Sequence, residues 1–114
     1  MMQPFQAEIH DRDGRVILIG KISEISETSF LGEVIRDDMP QDIRDVLQKY
    51  HVAAESEAFR ECGNLLIKLL AFDLQVTGIP GKEAPVPVED FQLGPDGLFS
   101  LQVEGVLDLQ DKLA

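Results

Sequence analysis

The order of hydrophobic and polar residues predicts three strands in the first third of the chain. Phe5, Ala7 and Ile9 alternate with polar residues, which is the two-residue period of a strand with one buried face. The following segment is rich in β-branched residues, and Gly20 within it indicates either a β-bulge or a close contact with a helix. We predict strands at about 4–10, 15–26 and 29–36, joined as an antiparallel meander.

The middle of the chain has the period of α-helices. Apolar residues recur at spacings of three and four from Ile43 to Ala54, and Asp38 with Gln41 resembles a capping box. Helical spacing resumes after a polar break, so that two helices are favoured over one long rod, at about 40–54 and 57–71. The second predicted core stripe consists of Phe59, Cys62, Leu66 and Leu69, widened by Leu65 and Leu70.

Strand patterns return in the last third. Residues 72–76 alternate again, a proline-rich loop follows at 79–87, and the tetrapeptide Gly-Pro-Asp-Gly at 94–97 is a strong hairpin signal. We predict strands at about 72–78, 88–93 and 98–105.

These elements predict one domain, 1–114, of the α+β class. In this interpretation an antiparallel β-meander is followed by two central amphipathic helices and then by a second set of antiparallel strands. The helices pack on one face of the sheet. The segments Gly20–Ile25 and Leu98–Val103 would then leave open sheet edges, which predict a homodimer joined through a sheet edge.

Charge narrows the classes of partner. The formal net charge is −11, which opposes binding to nucleic-acid phosphates and to anionic membranes. Residues 73–114 carry two basic and eight acidic side chains, so that this third is the most acidic surface. The favoured interpretation of this charge is that it keeps the protein soluble. The alternative is a surface for a basic protein partner, with five carboxylates available for binding: Glu83, Glu89, Asp90, Asp96 and Glu104.

The compartment is predicted from cysteine usage and from the N-terminus. Cys62 is the single cysteine, which excludes an internal disulfide. The first residues have neither the basic nor the apolar region of a secretory signal, and the most apolar run, 65–72, is far shorter than the roughly 20 residues that cross a bilayer. We therefore expect a soluble, cytoplasmic protein.

The densest cluster of potentially catalytic residue types is HDRDGRV, residues 10–16. An EF-hand calcium loop needs a glycine at its sixth position and a glutamate at its twelfth. With Asp11 first, these positions are Val16 and Ile22, so the match fails. Neighbouring side chains of a hairpin point to opposite faces, and two arginines would repel a cation. The pattern predicts a hairpin turn centred on Asp13-Gly14, and we expect no metal and no cofactor.

No catalytic constellation can be assembled from the remaining residues. Cys62 lies on the predicted core stripe, and neither His10 nor His51 has an identifiable orienting partner. The chain contains none of the common phosphate-binding, hydrolase or zinc motifs. Enzymatic activity is not favoured, and no catalytic residue is assigned.

Two hypotheses about function remain. The first is a small acidic, non-catalytic protein–protein interaction module, such as an inhibitor, an immunity-type protein or an accessory protein. The second is a small-molecule binding domain or an unusual enzyme, with His10, His51 and nearby carboxylates as polar anchors. A concave pocket that contains both histidines would favour the second hypothesis.

Overall fold

The structure is a computed structural model that describes residues 3–26 and 29–104. It contains eight elements in this part of the chain. In order they are β1 (Phe5–His10), β2 (Val16–Ser26), β3 (Ser29–Asp37), α1 (Gln41–Glu55), α2 (Phe59–Leu70), β4 (Gln75–Thr77), β5 (Val86–Leu93) and β6 (Leu98–Val103). The predicted strand 72–78 shrinks to three residues, because Ala71 and Phe72 form the turn that ends α2 and the next residue, Asp73, has a φ of 53°.

The described strands form a closed antiparallel barrel in the order β1-β2-β3-β6-β5-β4. The prediction of an α+β fold, with helices on one face of an open sheet, is therefore wrong. Two long-range pairings join the two sets of strands: β3 with β6, for example Phe30↔Leu101, and β1 with β4, for example Ile9↔Val76. The hydrophobic pattern indicates strands and hairpins, but it does not indicate which distant strands pair.

Barrel closure pairs most of the two segments that were predicted to leave open edges for a homodimer. β2, which contains the segment Gly20–Ile25, is hydrogen-bonded to β1 on one side and to β3 on the other. β6, the segment Leu98–Val103, lies between β3 and β5. Within residues 3–26 and 29–104, the pairing of β2 with β1 ends at Ile22 and the pairing of β6 with β3 ends at Leu101, so a second copy could extend the sheet only at the short ends of the two segments.

Cross-strand pairs fill the barrel interior. Residues at opposed positions of neighbouring strands point to the same side of a sheet, so their side chains enter the core together. Leu101 of β6 lies opposite Phe30 on one side and Phe91 on the other, and all three are at most 1% exposed. The rings of Phe91 and Phe99 stack, with centroids 5.6 Å apart.

Gly20 allows a close contact with an aromatic ring. The ladder between β2 and β3 shifts register between Ile19 and Gly20, which agrees with the predicted bulge. A Cβ atom on Gly20 would lie 2.5 Å from Cε1 of Phe99, so the neighbour that requires glycine is this ring and not a helix. Gly32 of β3 lies against the same ring, and its Cβ would lie 2.9 Å from Cζ of Phe99.

The two helices pack on β5, beside the shortest strand. β4 pairs with β5 only near the start of β5, at Gln75↔Pro87 and Val76↔Val86. Both helices contact β5. Their buried side chains join the barrel interior in one hydrophobic cluster; they are Ile43, Leu47, Tyr50, Ala53, Leu65 and Leu69.

The start of α1 differs from the predicted capping box. The N-cap is Pro40, and no side chain caps the helix by a hydrogen bond. Asp37, one residue earlier than the predicted cap, accepts hydrogen bonds from the Met39 N–H and from both guanidinium nitrogens of Arg44, the latter at 2.9 Å each. Partial burial of Asp37 opposes its ionisation, but these hydrogen bonds outweigh that effect and hold the pKa of the carboxyl below its usual range.

Candidate functional site

The HDRDGRV segment forms the β1–β2 turn, as predicted. Oδ1 of Asp11 accepts hydrogen bonds from the N–H groups of Asp13 at 3.0 Å and Arg15 at 2.9 Å. Gly14 adopts a φ of 83°, a conformation that side chains rarely adopt, so glycine is required there by the turn itself. Within residues 3–26 and 29–104, no three His, Cys, Asp or Glu side chains converge in a way that could hold a metal ion.

The side chains of this turn connect separate elements. Nε2 of His10 lies 2.8 Å from Oγ1 of Thr77 and therefore joins β1 to β4 where the barrel closes. Arg12 donates a hydrogen bond to the carbonyl of Ala71 at the end of α2, and its Nη2 lies 3.7 Å from Oδ2 of Asp73. These contacts give His10 and Arg12 a role in holding the fold together.

The two histidines line different depressions. His10 borders a depression of about 450 Å³ between the β1–β2 turn and the end of α2. His51 borders a separate groove of about 750 Å³, which is lined by α1 and by strands β2, β3, β5 and β6. Nε2 of His51 lies 4.0 Å from a carboxylate oxygen of Glu55. The structure does not bring His10 and His51 together in one pocket. Cys62 is half-buried against the core, as its place on the predicted stripe implies.

Two of the five predicted partner-binding carboxylates make hydrogen bonds within the chain. The hydroxyl of Tyr50 donates to Oδ1 of Asp90 at 2.8 Å, which ties α1 to β5. Burial and the neighbouring Asp90 carboxylate both disfavour ionisation of this phenol and raise the pKa of Tyr50 above its ordinary value. Oδ1 of Asp96 accepts a hydrogen bond from the Leu98 N–H at 3.1 Å and thereby shapes the β5–β6 turn.

The five carboxylates are spread over both ends of the β5–β6 hairpin. Asp96 lies in its turn, whereas Glu89 and Glu104 are exposed at the opposite end, and Glu83 lies in the loop before β5. Asp96 and Glu104 are eight residues apart along an extended strand, which corresponds to about 26 Å. The five side chains therefore do not form one compact patch.

The groove beside His51 lies on the outer face of β2, β3, β6 and β5, and the C-terminal half of α1 forms one wall. Its polar lining includes Glu24, Glu33 and Glu55, so the groove is acidic. Leu31 and Leu98 supply an apolar part of the lining, and Leu98 is 54% exposed. Sequence reasoning missed this groove, because it depends on strands brought together by the β3–β6 pairing.

α2 has more apolar surface than the barrel covers. Seven of its twelve residues are Phe, Cys, Leu or Ile, and at 3.6 residues per turn they occupy about 200° of the helix circumference. The buried side contains Leu65 and Leu69. The uncovered side is termed here the α2 outer stripe and consists of Phe59, Gly63, Ile67 and Leu70.

The α2 outer stripe corrects one sequence-based prediction. Phe59 was expected in the core stripe, but its side chain is 79% exposed, and Ile67 is 68% exposed. The sequence does contain an indication of this exposure. The apolar sector of α2 is wider than half of the helix circumference, which is more than one packed face requires.

Two further findings concern membrane-spanning helices and similarity to known proteins. Among the described residues, no helix combines the length and the apolar character that are needed to cross a membrane. Comparison with protein-family models, with curated proteins and with solved structures finds no match to this chain.

Proposed function

We propose that this protein is a non-catalytic protein–protein interaction module and that the α2 outer stripe is its binding surface. The observation that carries the proposal is the exposure of Phe59, at 79%, and of Ile67, at 68%, on one helix. Contact of a large apolar side chain with water is unfavourable, and its burial against a partner would be favourable. Several such side chains on one helix face are typical of a protein-binding surface.

In this proposal the α2 outer stripe replaces the acidic surface as the main binding site. Asp90 and Asp96 already accept hydrogen bonds within the chain, and the remaining three carboxylates are separated from Asp96 by the length of the hairpin. Glu83, Glu89 and Glu104 are exposed and can still steer a basic partner at long range. A reduced, cytoplasmic setting remains part of the proposal, because Cys62 is a free thiol.

Site-specific photo-cross-linking in cells of the native host tests this function. Phe59 is replaced by the photoreactive p-benzoylphenylalanine, and the matched control carries the same replacement at Ile35, which is 55% exposed on β3. We expect a discrete cross-linked product from position 59 and none from position 35. Absence of a product at position 59, or equal products at both positions, would refute the proposal.

The acidic groove beside His51 supports a second candidate function, the binding of a small cationic molecule. Its volume of about 750 Å³ lies within the usual range of ligand pockets, and its lining combines carboxylates with apolar side chains. Titration with spermidine, monitored by amide chemical shifts, should move the resonances of Glu33, His51 and Ser100. Shifts that spread evenly over all acidic residues would exclude a specific site.

A further inference from the structure

We propose that the α2 outer stripe binds a second copy of this chain, with the two α2 helices antiparallel and a two-fold axis at Gly63. This inference rests on the proposed function, because it names the partner of that same surface. It also replaces the sheet-edge homodimer, because barrel closure pairs β2 and β6 on both sides over most of their length.

The stripe is self-complementary about Gly63. Phe59 lies four residues before Gly63 and Ile67 lies four residues after it, so that the three residues form one ridge along the helix. When two such ridges meet antiparallel at their glycines, Phe59 of each copy lies beside Ile67 of the other. A two-fold axis repeats this contact, as an isologous interface requires.

Within residues 3–26 and 29–104, no neighbour requires a glycine at position 63. A Cβ atom built on it meets no other atom within 4 Å, and the residue lies inside a helix, where glycine is unfavourable. The fold would therefore accept a side chain at this position. A glycine at the crossing point lets two helix backbones approach closely, which explains a small residue between Phe59 and Ile67.

Charge opposes contact between copies less at the α2 outer stripe than at the acidic parts of the surface. Two molecules of net charge −11 repel each other, and most strongly where acidic residues cluster. The four residues of the α2 outer stripe are uncharged. Glu61, the acidic residue of α2, lines the depression on the α1 side together with Lys49, away from the stripe. The stripe is therefore a surface at which two copies can meet without placing carboxylates in contact.

The size of the surface predicts a weak dimer. α2 has twelve residues and is about 18 Å long. One helix of this length buries less than the roughly 800 Å² per partner of a standard interface. We therefore expect a monomer–dimer equilibrium in the micromolar range.

Sedimentation equilibrium of the purified full chain at increasing concentration tests the proposal. The wild type should pass from monomer to dimer, and Ile67→Lys should raise the dimer dissociation constant at least about tenfold, as expected for a central interface residue. Ile35→Lys is the matched control, since Ile35 is 55% exposed on β3, and it should leave the constant unchanged. Circular dichroism shows that each variant is folded. A wild type that stays monomeric, or equal effects of both substitutions, would overturn the proposal.

Gly63→Ala tests the position of the two-fold axis. At protein concentrations below the dimer dissociation constant, the variant should unfold at a higher denaturant concentration than the wild type, because alanine is the better helix former and the added methyl group has space. The same methyl group should separate the two helices and raise the dimer dissociation constant severalfold. An unchanged or lower dissociation constant would show that the helices do not cross at Gly63 and would overturn the proposed geometry.

The photo-cross-link at position 59 separates this inference from the proposed function. A product of twice the chain mass of 12.7 kDa supports the second copy. A product with another protein alone overturns the homodimer but leaves the interaction module in place, and a cross-link within one chain to residues 105–114 overturns both. Absence of any product also overturns both.

Discussion

Gly20→Ala should destabilise the protein through a single side-chain contact. The new Cβ would lie 2.5 Å from Cε1 and 2.6 Å from Cζ of Phe99, whereas the nearest backbone atom, the Glu33 carbonyl oxygen, is at an ordinary 3.4 Å. Overpacking of this kind costs about 1–3 kcal/mol. Loss of glycine's freedom in the unfolded chain returns about 0.4–1 kcal/mol. The two effects leave a net loss of about 1–2 kcal/mol in the free energy of unfolding.

A double-mutant cycle in urea, followed by far-ultraviolet circular dichroism, isolates the contact. Phe99→Leu removes the ring edge, so Gly20→Ala should cost about 1 kcal/mol less in that background. Gly32→Ala is the control, because its Cβ would also meet the Lys21 carbonyl oxygen, a backbone atom that Phe99→Leu does not move. Additive effects of Gly20→Ala and Phe99→Leu would refute the assignment of the clash to the ring. Equal rescue of Gly32→Ala would refute the distinction between ring and backbone.

Three further predictions concern single side chains. Tyr50→Phe removes the hydrogen bond to Asp90 and should lower the free energy of unfolding by about 1.5 kcal/mol in urea, with a smaller loss for Asp90→Asn, which keeps an acceptor. The pKa of Asp37 is lowered in the folded state, so its ion pair with Arg44 stabilises the folded protein. This stabilisation is fully present at pH values above the unfolded pKa of about 3.9, and it is lost as the pH falls through the folded pKa. Because both side chains are partly exposed, Asp37→Asn should cost about 0.5–1 kcal/mol in urea unfolding at pH 7, and this cost should decrease as the pH falls below the unfolded pKa. Gly63→Ala should raise the free energy of unfolding by about 0.5–1 kcal/mol, measured below the dimer dissociation constant.

Much of the local structure could be predicted from the hydrophobic pattern, because the period of side-chain burial is set by each element itself. The β1–β2 turn at Asp13-Gly14, the β5–β6 hairpin and the break between the two helices all lie where the pattern placed them. Closure of the barrel could not be predicted in this way. It depends on pairings such as Glu33↔Leu98 and His10↔Gln75, between strands that are more than sixty residues apart along the chain.

The candidate binding surface was hidden for a related reason. The helical pattern places Phe59 and Leu65 in the same apolar sector of α2, but it does not show which of them the barrel covers. That choice follows from the position of α2 on β5, which depends in turn on how β4 ends the barrel. The carboxylates were misjudged similarly, since the hydrogen bond between Tyr50 and Asp90 joins residues forty positions apart.

The shortness of β4 connects the fold to the proposed function. Three residues of β4 pair with only the start of β5, so the remainder of β5 on that side is covered by helices instead of a strand. A helix that packs on a strand buries one side, and α2 uses Leu65 and Leu69 for this purpose. The barrel is already closed and gains no cover from Phe59 or Ile67, which remain 79% and 68% exposed. Folding of the described residues therefore does not account for an apolar outer side of α2, and the proposed association through that side would account for it.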